Sequence, residues 1–156
     1  MNATPPSRAT TDLSDFPVVV TTDIRWGDMD AFGHVNNTLF LRYFEMARVA
    51  HFEAIGFARP EGTGPILGHV NCRYIRPLTH PDRIRIGTRV TKVGEDRFTQ
   101  EYVLVSGAQD RVAAVGEGVV VAYDYDQGRR GVLPEEVKAR IQALEVPGSP
   151  GPTPPD

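Results

Sequence analysis

Residues 25–48 read Arg-Trp-Gly-Asp-Met-Asp-Ala-Phe-Gly-His-Val-Asn-Asn-Thr-Leu-Phe-Leu-Arg-Tyr-Phe-Glu-Met-Ala-Arg. Two carboxylates, Asp28 and Asp30, stand in a loop bounded by Gly27 and Gly33. Asn36 and Asn37 follow, and asparagine is a residue type that opens helices. The first turn of a helix leaves backbone N–H groups unpaired and carries a partial positive charge. A carboxylate beside such a terminus supplies the two parts needed to attack an acyl carbon: a nucleophile or base, and donors for the developing oxyanion. Asp30 is the leading candidate for that carboxylate. The competing reading is that it caps or braces the loop, as Asp often does. Asp28 is expected to bond loop N–H groups. If the segment is extended there, the two carboxylates share a side and could couple.

The segment resembles the active-site loop and central helix of hotdog-fold acyl-CoA thioesterases of the 4-hydroxybenzoyl-CoA thioesterase family. Their pattern, Gly-Asp-x-Asp-x-x-Gly followed by a helix with an aromatic–aromatic–acidic stretch, is matched by Gly27–Gly33 and by Tyr43-Phe44-Glu45. The resemblance covers residues 17–126. It implies an α+β hotdog fold, with a long central helix wrapped by a curved antiparallel sheet of five or six strands. It also implies an acyl-CoA substrate hydrolysed to a carboxylic acid and coenzyme A, with no diffusible cofactor. Asp30 would be the nucleophile or general base. Gly33 would turn the chain so that an early helical N–H, at Asn37, polarises the thioester carbonyl. The site would lie at a subunit interface of a homodimer or homotetramer.

His34 is open to two readings. His-Val-Asn-Asn at 34–37 also resembles plant acyl-carrier-protein thioesterases, whose pattern is Asp-x-Asn-x-His. Asp30 and His34 match it, and Phe32 replaces the Asn. His34 therefore either works with Asp30 near neutral pH or shapes the loop. Asn36 either binds substrate or holds the loop. Glu45 is a helix carboxylate, but Arg48 at i+3 makes a surface ion pair the default for it. Hotdog hydratases and dehydratases carry Asp-x-Asn-Pro-x-His, and no Asn-Pro occurs here. A non-catalytic acyl-CoA sensor on the same fold is the remaining alternative, although such sensors usually lack the carboxylate that Asp30 supplies.

The elements that must position these groups follow from periodicity. Residues 17–26 are β-branched and predict a strand. Phe40, Tyr43, Phe44, Ala47, Ala50 and Ala54 form a helical stripe within 38–55, and Gly56 stops it. Four further β-like runs are expected at 66–75, 82–93, 97–106 and 111–125, with short turns at 94–96 and 107–110 suited to hairpins. In the second run Ile84, Ile86, Thr88 and Val90 share one face and Arg83, Arg85 and Arg89 the other, so one face is buried and one wet. One helix cannot cover both faces of such a sheet and should pack on the inward one. A short helix is expected over 134–144. Residues 1–16 read as a mobile arm, 17–145 as the hotdog thioesterase domain, and the proline-rich 146–156 as a disordered tail.

Composition narrows the function classes. The net charge of −3 gives no support for nucleic-acid binding. Coenzyme A is polyanionic, so a local basic patch is needed, and Arg83, Arg85 and Arg89, with Arg73 and Arg76, are its best source. A solvated sheet face is the plain alternative for them. Cys72 is the single cysteine, which fits a reducing cytoplasm and reads as a small buried hydrophobe rather than a nucleophile. His34, His51, His69 and His80 lack metal-site spacing, and no metal is expected. No apolar run approaches the ~20 residues of a membrane helix, and the polar N-terminus lacks the apolar core of a signal peptide.

Overall fold

An apolar helical stripe and a run of half-apolar strands can bury their faces only against each other. That pairing is what the computed structural model shows for residues 10–58 and 62–145, the residues described here. The order is β1 (Val18–Asp23), a 3-10 turn (Trp26–Asp28), α1 (Asn37–Ala54), β2 (Thr63–Tyr74), β3 (Arg83–Val93), β4 (Arg97–Ser106), β5 (Arg111–Asp124), β6 (Arg129–Arg130) and α2 (Glu135–Leu144). The strands form one antiparallel sheet in the order β1-β3-β4-β5-β2, with β6 paired to the end of β5. The hairpins β3–β4 and β4–β5 fall at the expected turns.

Several boundaries differ from expectation for local reasons. β1 ends at Asp23, and the next residues tighten into the 3-10 turn as Asp28 N–H donates to Arg25 O at 3.0 Å. β2 starts earlier, at Thr63, because it pairs along nearly the whole of β5; a bulge between Leu67 and His69 absorbs the register shift. β6 has no counterpart in the sequence pattern, since two residues are too few for a periodicity to show. The expected tail 146–156, residues 1–9 of the arm and 59–61 of the loop after α1 lie outside the described residues. Residues 10–16 of the arm rest on the sheet. Leu13 is buried with Val103, Val105 and Val112, and Phe16 packs beside them.

The main core lies between α1 and the inward face of the sheet. Phe40, Tyr43, Phe44 and Ala47 of α1 meet Ile84 and Ile86 of β3, Tyr102 and Leu104 of β4 and Ala114 of β5. Phe44 stacks on Tyr102 with centroids 4.9 Å apart and planes 14° from parallel. A second cluster joins Ile55 and Phe57 to Phe98, Val120 and Ala122, and α2 closes it with Val137 and Ile141. The surface position expected for Arg48, paired with Glu45, is not what the fold gives it. Arg48 is only 6% exposed, and it donates to the Tyr102 hydroxyl at 3.3 Å while Glu45 stays outside, 3.9 Å away. His51 is wholly buried.

α1 sits close to the sheet because β5 has no side chain at Gly116. A Cβ there would stand 2.3 Å from Asn71 O and 2.6 Å from Phe44 Cε2. At Gly118 the nearest atom is the Tyr102 hydroxyl, at 2.6 Å. Gly116→Ala collides with backbone of the neighbouring strand as well as with the central aromatic, so it should cost ~1–3 kcal/mol, the range for overpacking, and lower the urea midpoint. Gly118→Ala, which meets the end of a side chain, should cost less. Equal midpoints for Gly116→Ala and the parent chain would show that the strands part freely there.

Candidate active site

The loop before α1 is closed by its own backbone. Met29 and Val35 face each other as an isolated antiparallel bridge. Asp30 N–H donates to His34 O at 2.8 Å, and Gly33 N–H donates to Asp30 O at 3.0 Å. Gly33 has φ +80°, the left-handed region that favours glycine, which is why this residue type turns the chain here. The Asp30 carboxylate is half-buried and accepts the Phe32 N–H through Oδ1 at 2.9 Å. That bond orients the group from inside the loop and leaves Oδ2 without a partner among the described residues. His34 stands opposite Asp30 across the closed loop and is exposed.

Asp28 braces the loop, as expected, but more widely than sequence suggests. Its Oδ2 accepts the Arg25 N–H at 2.8 Å and the Tyr43 hydroxyl at 3.2 Å, and its carbonyl accepts the Asn36 N–H at 2.9 Å. The two carboxylates thus turn to different partners. Burial, and next the charge of Asp28, push the Tyr43 hydroxyl far above its usual range, so it stays a donor.

Asn36 is the cap of α1. Its Oδ1 accepts the Thr38 N–H at 2.9 Å and the Thr38 hydroxyl at 2.7 Å. Asn37 is the first helical residue, and its N–H has no acceptor among the described residues. The chain leading out of β2 runs alongside. The Tyr74 hydroxyl donates to Asn37 O at 2.9 Å, and Val35 N–H donates to Leu78 O at 2.8 Å. The structure therefore gathers Asp30, Gly33, His34, Asn36 and Asn37 at one end of α1.

It does not bring the β3 arginines there. Arg85 and Arg89 lie on the face of the sheet opposite α1, against the 10–16 segment. Arg85 Nη2 donates to Thr11 O at 3.1 Å. Arg89 pairs with Glu101 and stacks over the Phe16 ring at 4.7 Å. Arg83 is held by Asp23, Nε to Oδ1 at 2.8 Å. A groove of about 780 Å³ on that outer face, lined in part by Phe16, Arg73, Arg89 and Glu117, contains none of the loop residues. Cys72 is half-buried, and burial raises its thiol above the usual range, which disfavours a nucleophilic thiolate. Among the described residues no three His, Cys, Asp or Glu side chains are grouped to hold a metal ion. Tyr43 and Tyr74 are the polar contributors that sequence reasoning missed. Each lies at an apolar position of its element, and only the hydroxyl hinted at another task.

Residues 24–141 match the thioesterase-like superfamily. The 1,4-dihydroxy-2-naphthoyl-CoA hydrolase of Synechococcus elongatus is 30% identical over 126 residues, which is 76% of this chain and 90% of that protein. A thioesterase from Thermus thermophilus, solved with coenzyme A and zinc, is 33% identical with a TM-score of 0.74, covering 84% of this chain and 96% of the other. A thioesterase-superfamily protein from Jannaschia sp. CCS1 gives the same TM-score at 27% identity, covering 81% and 82%.

The geometry separates the two asparagines. Asn36→Ala removes both contacts to Thr38 and should cost ~1 kcal/mol of stability, the usual loss for a cap. Asn37→Ala keeps its N–H and should leave stability within ~0.5 kcal/mol, as for a surface substitution. Chemical denaturation of the two variants checks this, and a larger loss at Asn37 would reverse the assignment.

Proposed function

The chain belongs to the thioesterase-like superfamily, and we propose on that premise that it hydrolyses an acyl-CoA thioester to a carboxylic acid and coenzyme A. The observation that carries the reading is the pairing of Asp30, half-buried and with Oδ2 unpartnered among the described residues, with the unpaired Asn37 N–H at the helix terminus. The thioester carbonyl oxygen would face that N–H. As the carbonyl carbon is attacked, negative charge builds on its oxygen, and the N–H and the positive end of α1 stabilise it without having to reorganise. Asp30 acts in one of two ways. As nucleophile it bonds to the carbonyl carbon and the sulfur leaves with the electron pair of the C–S bond; water then cleaves the anhydride. As general base it takes a proton from water, whose oxygen attacks, and the sulfur again departs. Both routes consume one water and give the same products.

His34 is assigned to the loop rather than to the chemistry. Phe32 occupies the position of the missing Asn, and among the described residues the hydrogen bond His34 makes in the loop is through its backbone carbonyl. For coenzyme A, recognition of phosphate by Arg83, Arg85 or Arg89 has to compete with the partners they already hold. The Arg83 side chain is 71% exposed but held by both oxygens of Asp23, and Arg85 holds one backbone carbonyl.

We also assign the chain to a homodimer joined at β2. This 12-residue strand forms one edge of the sheet and leaves Ile66, Leu67 and Tyr74 exposed. A long strand with one edge unpaired among the described residues is a template for another strand. Light scattering should give at least twice the 17.2 kDa chain mass; a monomer at micromolar concentration would remove the assignment.

Asp30→Asn should fold normally and lose roughly 100- to 10,000-fold in turnover, the range for removing a positioned acid–base group. Thiol release from a panel of aryl- and alkyl-CoAs measures it. Retention of more than about a tenth of parental turnover would sink the Asp30 assignment. In the same assay His34→Ala should slow turnover only modestly and keep the shape of the pH profile. A loss as large as that of Asp30→Asn, with the shape of the pH profile changed, would return His34 to the catalytic set.

A further inference from the structure

Tyr43 enters the sequence as one member of an apolar stripe, and its ring behaves as one: it is 5% exposed and lies 6.2 Å from the Phe40 ring. Its hydroxyl does something else. We propose that Tyr43 is a positioning residue for the reaction assigned above, acting through Asp28 to set where Asp30 stands relative to the first N–H of α1. The proposal rests on that functional reading.

The argument is one of attachment. Every hydrogen bond made by Asp30 among the described residues closes inside its own loop, to His34, Gly33 and Phe32. None of them ties Asp30 to α1 or to the sheet. The loop is moored by its neighbours: Val35 on Leu78, Met29, whose Sδ accepts the His80 N–H at 3.5 Å, and Asp28. Asp28 gathers Arg25 at the start of the 3-10 turn, Asn36 at the cap and Tyr43 within α1. Tyr43 is the one of these that belongs to the packed body of the helix. It lies six residues beyond Asn37, ~9 Å along the axis, and helical side chains lean back toward the N-terminus. The ring fills the core, and the hydroxyl returns to the loop. Asp28 is two residues from Asp30, within ~7 Å of chain. A shift at Asp28 therefore reaches the carboxylate almost undiminished.

The bond also persists. Burial and the Asp28 charge keep the proton on the Tyr43 oxygen across any working pH. Phenylalanine at 43 would fill the same space and leave Asp28 Oδ2 with a single donor. The half-buried carboxylate would then turn toward water and draw the loop with it. The packing of α1 would hardly change, but the distance from Asp30 to the Asn37 N–H would.

Steady-state kinetics of Tyr43→Phe, Asp28→Asn and the double variant test this, with the parent chain in the same assay. Displacement of a reacting group by ~1 Å costs on the order of 100-fold, so Tyr43→Phe should lower kcat ~10- to 100-fold with little change in KM and a nearly unchanged melting temperature. Because both residues act through one contact, the double variant should be no slower than the slower single variant. Parental kcat in Tyr43→Phe, or losses that multiply in the double variant, would overturn the proposal. A purely packing role would lower the melting temperature and leave the kcat of folded protein alone, which also overturns it. If the parent chain releases no thiol from any acyl-CoA, the functional reading fails by itself. The brace is then judged by amide hydrogen exchange, where Tyr43→Phe should speed exchange at Arg25 and Asn36, and unchanged exchange refutes it.

Discussion

The structure depends on laying one long helix against one face of one sheet. The contact is made by aromatic rings beside a strand that lacks side chains at Gly116 and Gly118. Phe44 stacks on Tyr102, and Gly116 lets the Asn71 backbone and the Phe44 ring close in on β5 together. Because interiors are packed at close to crystal density, such a contact has little freedom to slide. The helix is held in register, and so its first turn is delivered to a fixed point beside Tyr74 and Leu78. The geometry of the candidate site is inherited from that packing.

At that point a second constraint takes over. Backbone polar groups near the interior need partners. The 28–37 loop meets the need almost entirely from within: Asp30 with His34, Gly33 with Asp30, Phe32 with the Asp30 carboxylate, Asn36 with Asp28, Thr38 with Asn36. Among the described residues the Asn37 N–H, at the positive end of the helix, and Asp30 Oδ2 are left without a partner, as are the exposed Ala31 and His34 N–H groups. Several bonds closed inside one short loop hold its shape, and a held loop is the setting in which an unpaired helix N–H and an unpaired carboxylate oxygen could serve a reaction.

The outward face follows different rules. Val103, Val105 and Val112 would be open to water, and the 10–16 segment covers them with Leu13 and Phe16. Arg85 and Arg89 serve that cover, the first by bonding Thr11 and the second by stacking on Phe16. The ordinary role of a cationic stem, lying along apolar surface with its head at the edge, accounts for both. β2 is left as the longer of the two sheet edges, the other being β1.

The sequence by itself determined the architecture. The stripe Phe40, Tyr43, Phe44 and Ala47 has only a helical reading, and the alternation of Ile84, Ile86 and Thr88 with arginines has only a strand reading. Both patterns are local, and their periods differ. The loop was legible because Gly33 and the two asparagines carry backbone requirements in their own residue types. What tertiary structure decided is which polar ends meet. Arg48 looks like a surface residue three places from Glu45, yet its guanidinium is drawn under the helix to Tyr102. Arg89 looks like a free cation and is neutralised by Glu101 from the neighbouring strand. Tyr43 looks like core, and its hydroxyl braces Asp28 fifteen residues away in sequence. A hydrogen bond or ion pair depends on a few ångströms and on direction. Those are set only when the helix, the loop and the sheet have closed on one another, so no one-dimensional pattern can carry them.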